Sequence, residues 1–308
     1  MIRLYGHYAS QPCWSVFWLL QIQGVPYEFI KIDPSSTDTT SKPMEFISKF
    51  PLGLIPAMID ISGDNDVKEE KPKEFCLSEA SAIMIYLCEK YGWNDWYPCS
   101  SPSTQTMPRM ENADLQRKAR IHEYISHHNE SSRMLTRKVF RPAWMAYLSP
   151  NLALRRNFKN WDERQAYQVM QQQGQSFQNA FLKMRSTCTA NDENDGSTTS
   201  TTSITTNSSS GQYCYIGGYQ DKPSIADLLA YPEFAQITYL LGMEYSKHNL
   251  SQLYQWFEGM KCIDYHDDLT RTVSKLGRLV QREKQKKQEG KSPVKNHHLS
   301  HRPVGSKL

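Results

Sequence analysis

The chain lacks the cysteine spacing of a disulfide or metal framework. Its seven cysteines, at 13, 76, 88, 99, 188, 214 and 262, are odd in number, scattered, and form no C-x-x-C pair. Neither a disulfide scaffold nor a zinc site is expected, and free thiols in a reducing compartment are. Long apolar runs are missing as well. Near the N-terminus the longest is Val16 to Leu20, too short for the core of a secretory leader and preceded by no basic segment, and nothing reaches the length of a membrane span. Triplets such as Asn129-Glu130-Ser131 are therefore not expected to be glycosylated. Charge of one sign is also scarce: the net value is +4, and the basic excess falls mainly after Arg278. No nucleic-acid surface is expected on the folded part.

What is present begins with MIRLYGHYASQPCWSVFWLLQIQGV, a short β-run, a turn and a helix opened by Pro12. Proline suits the first helical position because its missing N–H would have had no partner there, which makes Ser10 or Gln11 the cap. The amides that follow, with the helix dipole, favour an anion by about 0.3–1 kcal/mol, or about 2 when partly buried. Ser10-Gln11-Pro12-Cys13 also has the spacing of a C-x-P-C redox turn whose first cysteine is serine. Such a turn can hold a thiolate without supplying one. Cys13 itself is either a reactive thiol or inert packing inside the helix.

Along the chain, strands are expected over 2–5 and 27–33 around a helix over 12–23, a parallel βαβ unit. A short helix follows over 42–49, and then Phe50-Pro51-Leu52-Gly53-Leu54-Ile55-Pro56, which its prolines and glycine keep non-helical. Strands over 57–61 and 74–77 flank a charged excursion, 62–73. A helix over 78–91, capped by Ser78, places Ile83, Met84, Leu87 and Cys88 on its inner face. The sum is a thioredoxin-like α/β domain over 1–92, ordered βαβ-α-ββα. A Pro- and Ser-rich linker, 93–109, leads to an all-helical domain over 110–285.

That second domain is expected to open with one long helix over 110–139, with Leu115, Ala119, His122 and Ile125 along one face. At least one more helix falls in 151–184. A Ser/Thr/Asn-rich insertion, 186–212, is too polar to order itself. Pro223-Ser224-Ile225-Ala226-Asp227 starts a further helix, with Ser224 as cap and Asp227 completing a capping box. The last helix, from 264 to about 284, carries Leu269, Val273, Leu276 and Val280, and a polar basic tail occupies 286–308. The neighbours His127 and His128 point about 100° apart on a helix and do not suggest a metal site.

The segments LYGHYASQPCWSV, EFISKFPLGLIPAM, LSEASAIMIYL and SIADLLAYPEF, in this order and spacing, resemble the glutathione transferases, most closely the theta-like class. The resemblance implies a transferase fold that binds glutathione as co-substrate, with no cofactor or metal, and a homodimer. It implies a role for Ser10 in donating to the glutathione thiolate, and for Arg133 in facing that thiol. Glutathione would also meet Gln11, Ser41, Lys42, Leu54, Ile55 and Pro56, with Glu79 and Ala80 at its γ-glutamyl end. Asp227 looks like the family's structural capping aspartate. Ala80 stands where the family has serine, Leu54 where lysine is common, and Ser41 where histidine is common. The expected partner is a small electrophilic or peroxidic molecule. Two other readings fit the same residues: a non-catalytic transferase-like interaction module, and a glutathione-dependent thiol reductase using Cys13.

The chain ends Ser306-Lys307-Leu308. This tripeptide is the peroxisomal address, read by a soluble import receptor. A peroxisomal location is expected, and a cytoplasmic one without the address. Deleting Leu308 from an N-terminally tagged chain is expected to move it from peroxisomes to the cytosol under the microscope, whatever the chemistry.

Overall fold

The computed structural model describes residues 1–33, 42–62, 73–99, 112–149, 152–158, 161–182, 215–216, 222–245 and 249–289. Ser41, most of the charged excursion, residues 100–109 of the linker, the 186–212 insertion and residues 290–308 of the tail, with its address, lie outside them, while 286–289 belong to the last helix.

Four strands form one sheet in the order β2-β1-β3-β4. They are β1 (Ile2–Gly6), β2 (Tyr27–Lys31), β3 (Ala57–Ser62) and β4 (Lys73–Ser78). β1 pairs with β2 in parallel, Ile2 opposite Tyr27, and β3 runs antiparallel to both β1 and β4. Alternation along the strands divides the core in two. Leu4 and Met58 face α1 (Gln11–Ile22) and α3 (Ala80–Tyr91). Tyr5, Ala57 and Ile59 face the other way, onto Phe46 of α2 (Met44–Lys49) and Phe50. β4 forms an edge of the sheet and is largely exposed, with the Phe75 ring tilted against that of Tyr86 at 4.9 Å. Buried Asp60 accepts bonds from Tyr86 and Lys90.

The start of α3 differs from expectation. Ser78 is still in the strand, opposite Ala57, and the cap is Glu79. Ile83, Met84, Leu87 and Cys88 are fully buried, as the pattern requires.

The expected long helix over 110–139 is broken. α4 (Asn112–His128) ends in a turn, and the chain resumes as α5 (Arg133–Leu135), a π-helical turn (Thr136–Phe140) and α6 (Arg141–Tyr147). Side-chain bonds brace the break: the Tyr124 hydroxyl contacts His128 Nδ1 at 3.0 Å and donates to Ser132 Oγ at 3.0 Å. The buried face of α4 is also not the expected one. It comprises Arg117, Ile121, Tyr124 and His128, whereas Leu115, Ala119 and His122 are exposed. Arg117 turns inward to donate to the carbonyls of Asn94 and Asp95, tying the helix to the end of the first domain.

The remaining helices are α7 (Leu152–Asn157), α8 (Glu163–Phe177) with a π-turn to Leu182, α9 (Ile225–Leu241), α10 (Ser251–Lys261) and α11 (His266–Glu289). α9 is buried at every position except Thr238 and Tyr239, so it is the centre of the helical layer. Its capping box is present. Asp227 accepts from Ser224 N and Ser224 Oγ, and also from Ile216 N and Trp256 Nε1. α11 presses Gly277 onto α9 so closely that a Cβ there would lie 1.9 Å from the Tyr239 carbonyl. On its other side α9 packs along α1, where Trp18 is completely buried beside Tyr231 and donates its Nε1–H to Asp264 O at 2.7 Å.

Two stability effects follow. Asp227→Ala strands three buried N–H donors at once, those of Ile216, Ser224 and the Trp256 indole, and is expected to cost about 3–5 kcal/mol in denaturant unfolding. His128, 4% exposed, has its pKa lowered to about 3, chiefly by burial and then by the charge of Arg133. Folded His128 therefore binds fewer protons than unfolded His128 between pH 6.5 and about 3, so it contributes stability that is lost as pH falls below the unfolded value. Unfolding at pH 7 and pH 5 is expected to show the wild type losing about 2 kcal/mol more than His128→Gln.

Candidate functional site

Three turns meet at one end of the sheet because of strand register. Tyr5 lies opposite Ala57, and Ala57 opposite Ser78. The turn after β1, which carries Ser10, is thus brought beside the Ile55–Pro56 step before β3 and the Glu79–Ala80 step after β4. The Ile55–Pro56 peptide bond is cis.

Ser10 is the N-cap of α1, with extended backbone (φ −92°, ψ 120°), and its carbonyl accepts the first helical bond from Trp14 N at 3.1 Å. Its side chain makes no capping bond. It instead favours the thiolate form of the Cys13 thiol, one turn further on. The loop before it is fixed: Ser10 N donates to His7 O at 3.0 Å, Ala9 N to His7 Nδ1 at 3.1 Å, and Trp14 Nε1 to Tyr8 O at 2.6 Å.

Cys13 is completely buried. Burial pushes its thiol up to about 11, against hydrogen bonds from Ser10 and His7 and the positive charge of Arg133. Burial and a raised thiol are the surroundings of a packed cysteine, whereas a reactive one is exposed with a lowered pKa.

Arg133 is partly exposed, and its Nη1 lies 3.3 Å from Oε1 of Glu233, a residue of α9 that is 1% exposed. Thr136 donates to the other oxygen of the same carboxylate. Burial raises the pKa of Glu233, opposed by Arg133 and then by the Thr136 bond. His128 Nε2 comes within 3.8 Å of Glu233, but its imidazole is neutral and the contact is no ion pair. Also from α9, Gln236 Nε2 donates to the Ala9 carbonyl at 3.1 Å. Neither Glu233 nor Gln236 is marked in the sequence, because both sit inside an otherwise apolar run. The break at 129–132 that brings Arg133 onto Glu233 has no Gly or Pro to announce it, and the π-turn carrying Thr136 is marked only by Pro142 two residues beyond it.

The other expected contacts are placed as follows. Lys42 Nζ donates to Gly53 O at 2.8 Å, bracing the turn that precedes the cis proline. Leu54 is 55% exposed, Ile55 half-buried and Pro56 buried. Glu79 is exposed with φ at +73°, a region that costs a non-glycine residue about 1–3 kcal/mol and is concentrated at ligand sites. Ala80 is 4% exposed and opens α3, so the amides there face the same sheet end. Gln11 turns inward, 5% exposed, leaving only its backbone for a ligand. Two surface grooves lie elsewhere, one of about 420 Å³ beside Thr238, Arg278 and Arg282 and one of about 300 Å³ around Tyr265 and Asp267. No cluster of three His, Cys, Asp or Glu able to hold a metal occurs among the described residues.

Residues 4–95 match the family model described as glutathione S-transferase, N-terminal domain. Human glutathione S-transferase theta-2 is 32% identical over 151 residues, 48% of this chain and 49% of that protein. Human glutathione S-transferase theta-1 is 29% identical over 150 residues, 48% of this chain and 50% of that protein. In these matches the chain spans about half the length of the curated relatives. Human glutathione transferase theta-2, solved in complex with glutathione and an unknown ligand, superposes with a TM-score of 0.56 at 22% identity, covering 93% of this chain and 91% of that one. The apo form of human glutathione-S-transferase T1-1 gives 0.55 at 19% identity, covering 92% and 96%. These superpositions show that both layers, sheet and helices, have the transferase fold. Residues 4–95 are thus a glutathione S-transferase N-terminal domain, and over about half its length the chain is similar to theta-class glutathione S-transferases.

Proposed function

We propose that the chain is a glutathione transferase in which Ser10 stabilises the thiolate of bound glutathione for attack on a small electrophilic or peroxidic molecule. The observation that carries this reading is the Ser10 hydroxyl: it stands at the N-terminus of a long helix and is not spent on capping it. A serine serving only as a cap would bond the amide of the second or third helical residue.

The energetics are sufficient. A cysteinyl thiol titrates near ~8.5, and lowering that by about two units requires roughly 2.7 kcal/mol of preference for the thiolate. The helix end contributes about 1 kcal/mol and a charge-assisted hydroxyl bond about 1.5–3. Arg133, whose charge already favours a thiolate at Cys13, adds to this. Glutathione would pair its cysteinyl backbone with the residue before Pro56, as an added strand does, and place its γ-glutamyl end on the amides at Glu79 and Ala80. Lys42 would be the cation at the glycyl end. The missing hydroxyl at Ala80 and the missing amine at Leu54 each weaken glutathione by about 0.5–1.4 kcal/mol. We also propose a homodimer and a peroxisomal location for the chain, the latter on its C-terminal tripeptide.

Ser10→Ala is expected to leave glutathione binding within about threefold by calorimetry and to lower kcat/KM for conjugation by roughly 10–150-fold. An unchanged kcat/KM overturns the role of Ser10, and a wild type that binds no glutathione favours the non-catalytic interaction module.

A further inference from the structure

Glu233 and Gln236 lie three residues apart on one face of α9 and are 1% and 0% exposed. Glu233 is occupied by Arg133 and Thr136. Gln236 reaches to a segment 227 residues away, where its Nε2 donates to the carbonyl of Ala9. Its Oε1 is buried without a hydrogen-bond partner.

A buried amide oxygen left unpaired costs about 1–3 kcal/mol, at least as much as the roughly 1 kcal/mol gained from the single bond its amine makes. For stability alone, an apolar side chain of the same length would serve as well. What the amide adds is a grip on one particular carbonyl. The Ala9 carbonyl belongs to the peptide plane whose nitrogen is that of Ser10, and that N–H is held by His7 O at 3.0 Å. With both polar atoms of the plane fixed, one from each domain, the Ser10 Cα has little freedom.

We infer that Gln236 is a positioning residue for Ser10, through which the helical domain sets the hydroxyl that faces the glutathione sulfur. The inference rests on the reading of Ser10 given above.

Gln236→Met keeps the side-chain length and removes the donor, and Gln236→Leu is the second variant. Each is made in the full chain. The bound glutathione thiolate is titrated by its ultraviolet absorption, and conjugation rate and thermal unfolding are measured in parallel. The expected result is a thiol midpoint raised by about one unit and a neutral-pH rate lowered about tenfold, with Tm within about 3 °C of wild type. An unmoved midpoint, with or without a lowered Tm, overturns the proposal, as does failure of both variants to fold, since Gln236 is then structural. Failure of the underlying reading is distinguishable, because it shows in the wild type itself as absence of any bound thiolate.

Discussion

The packing of α1 along α9 is the constraint on which the site depends. α1 carries the hydroxyl-bearing N-terminus on one domain, and α9 is the buried axis of the other. Between them Trp18 is completely buried against Tyr231, and Trp14, one turn back on α1, is 1% exposed. Burying side chains of that size is worth several kcal/mol of transfer free energy, which fixes the two helices rigidly against each other. Rigid placement is what a catalytic hydroxyl needs, since a misplacement of about 1 Å is enough to forfeit much of an oriented contact. The polar residues of α9, Gln236 reaching Ala9 and Glu233 reaching Arg133 and Thr136, then act on a scaffold that does not yield.

Placing an anionic side chain in that junction has an electrostatic logic. Arg133 without Glu233 would be a long, mobile cation at the edge of a cleft. Bonded to a carboxylate that burial already disfavours as an anion, it is held in place, at the cost of part of its field. The π-turn beginning at Thr136 places a second donor on that carboxylate. Such turns are concentrated at functional sites because they re-aim side chains that regular helix geometry would send elsewhere. Cys13 illustrates the opposite choice: a thiol at the same helix end, near the same arginine, is kept neutral by burial alone.

Much of the fold is legible from residue pattern. β1, α1 and β2 follow from alternation and from Pro12, and the Ser224/Asp227 box marks the start of α9 within one residue. Where expectation fails, local signals compete with tertiary ones. Ser78 has the chemistry of a cap, but register with Ala57 keeps it in the strand and gives the cap to a strained Glu79. The inner face of α4 is invisible to apolar periodicity because two of its four buried residues, Arg117 and His128, are polar and satisfied by partners distant or local. α10 has a sequence broken by polar residues and is held by Trp256 bonding to Asp227, a contact no spacing rule reveals. At the site, the turn chemistry of Ser10 and Pro56 is readable, whereas Glu233 and Gln236 become visible only when α9 is laid against α1.

The indole bond from Trp18 to Asp264 O joins positions 246 residues apart. On a ribosome adding about 5–20 residues per second, roughly 12–50 s pass between synthesis of the donor and of its acceptor. For most of that interval, until α9 is made, the nascent N-terminal domain displays the aromatic flank of its first helix without the helix that covers it. Maturation of this domain is thus coupled to completion of the polypeptide, and chains halted before the last helix are expected to be clients for chaperones.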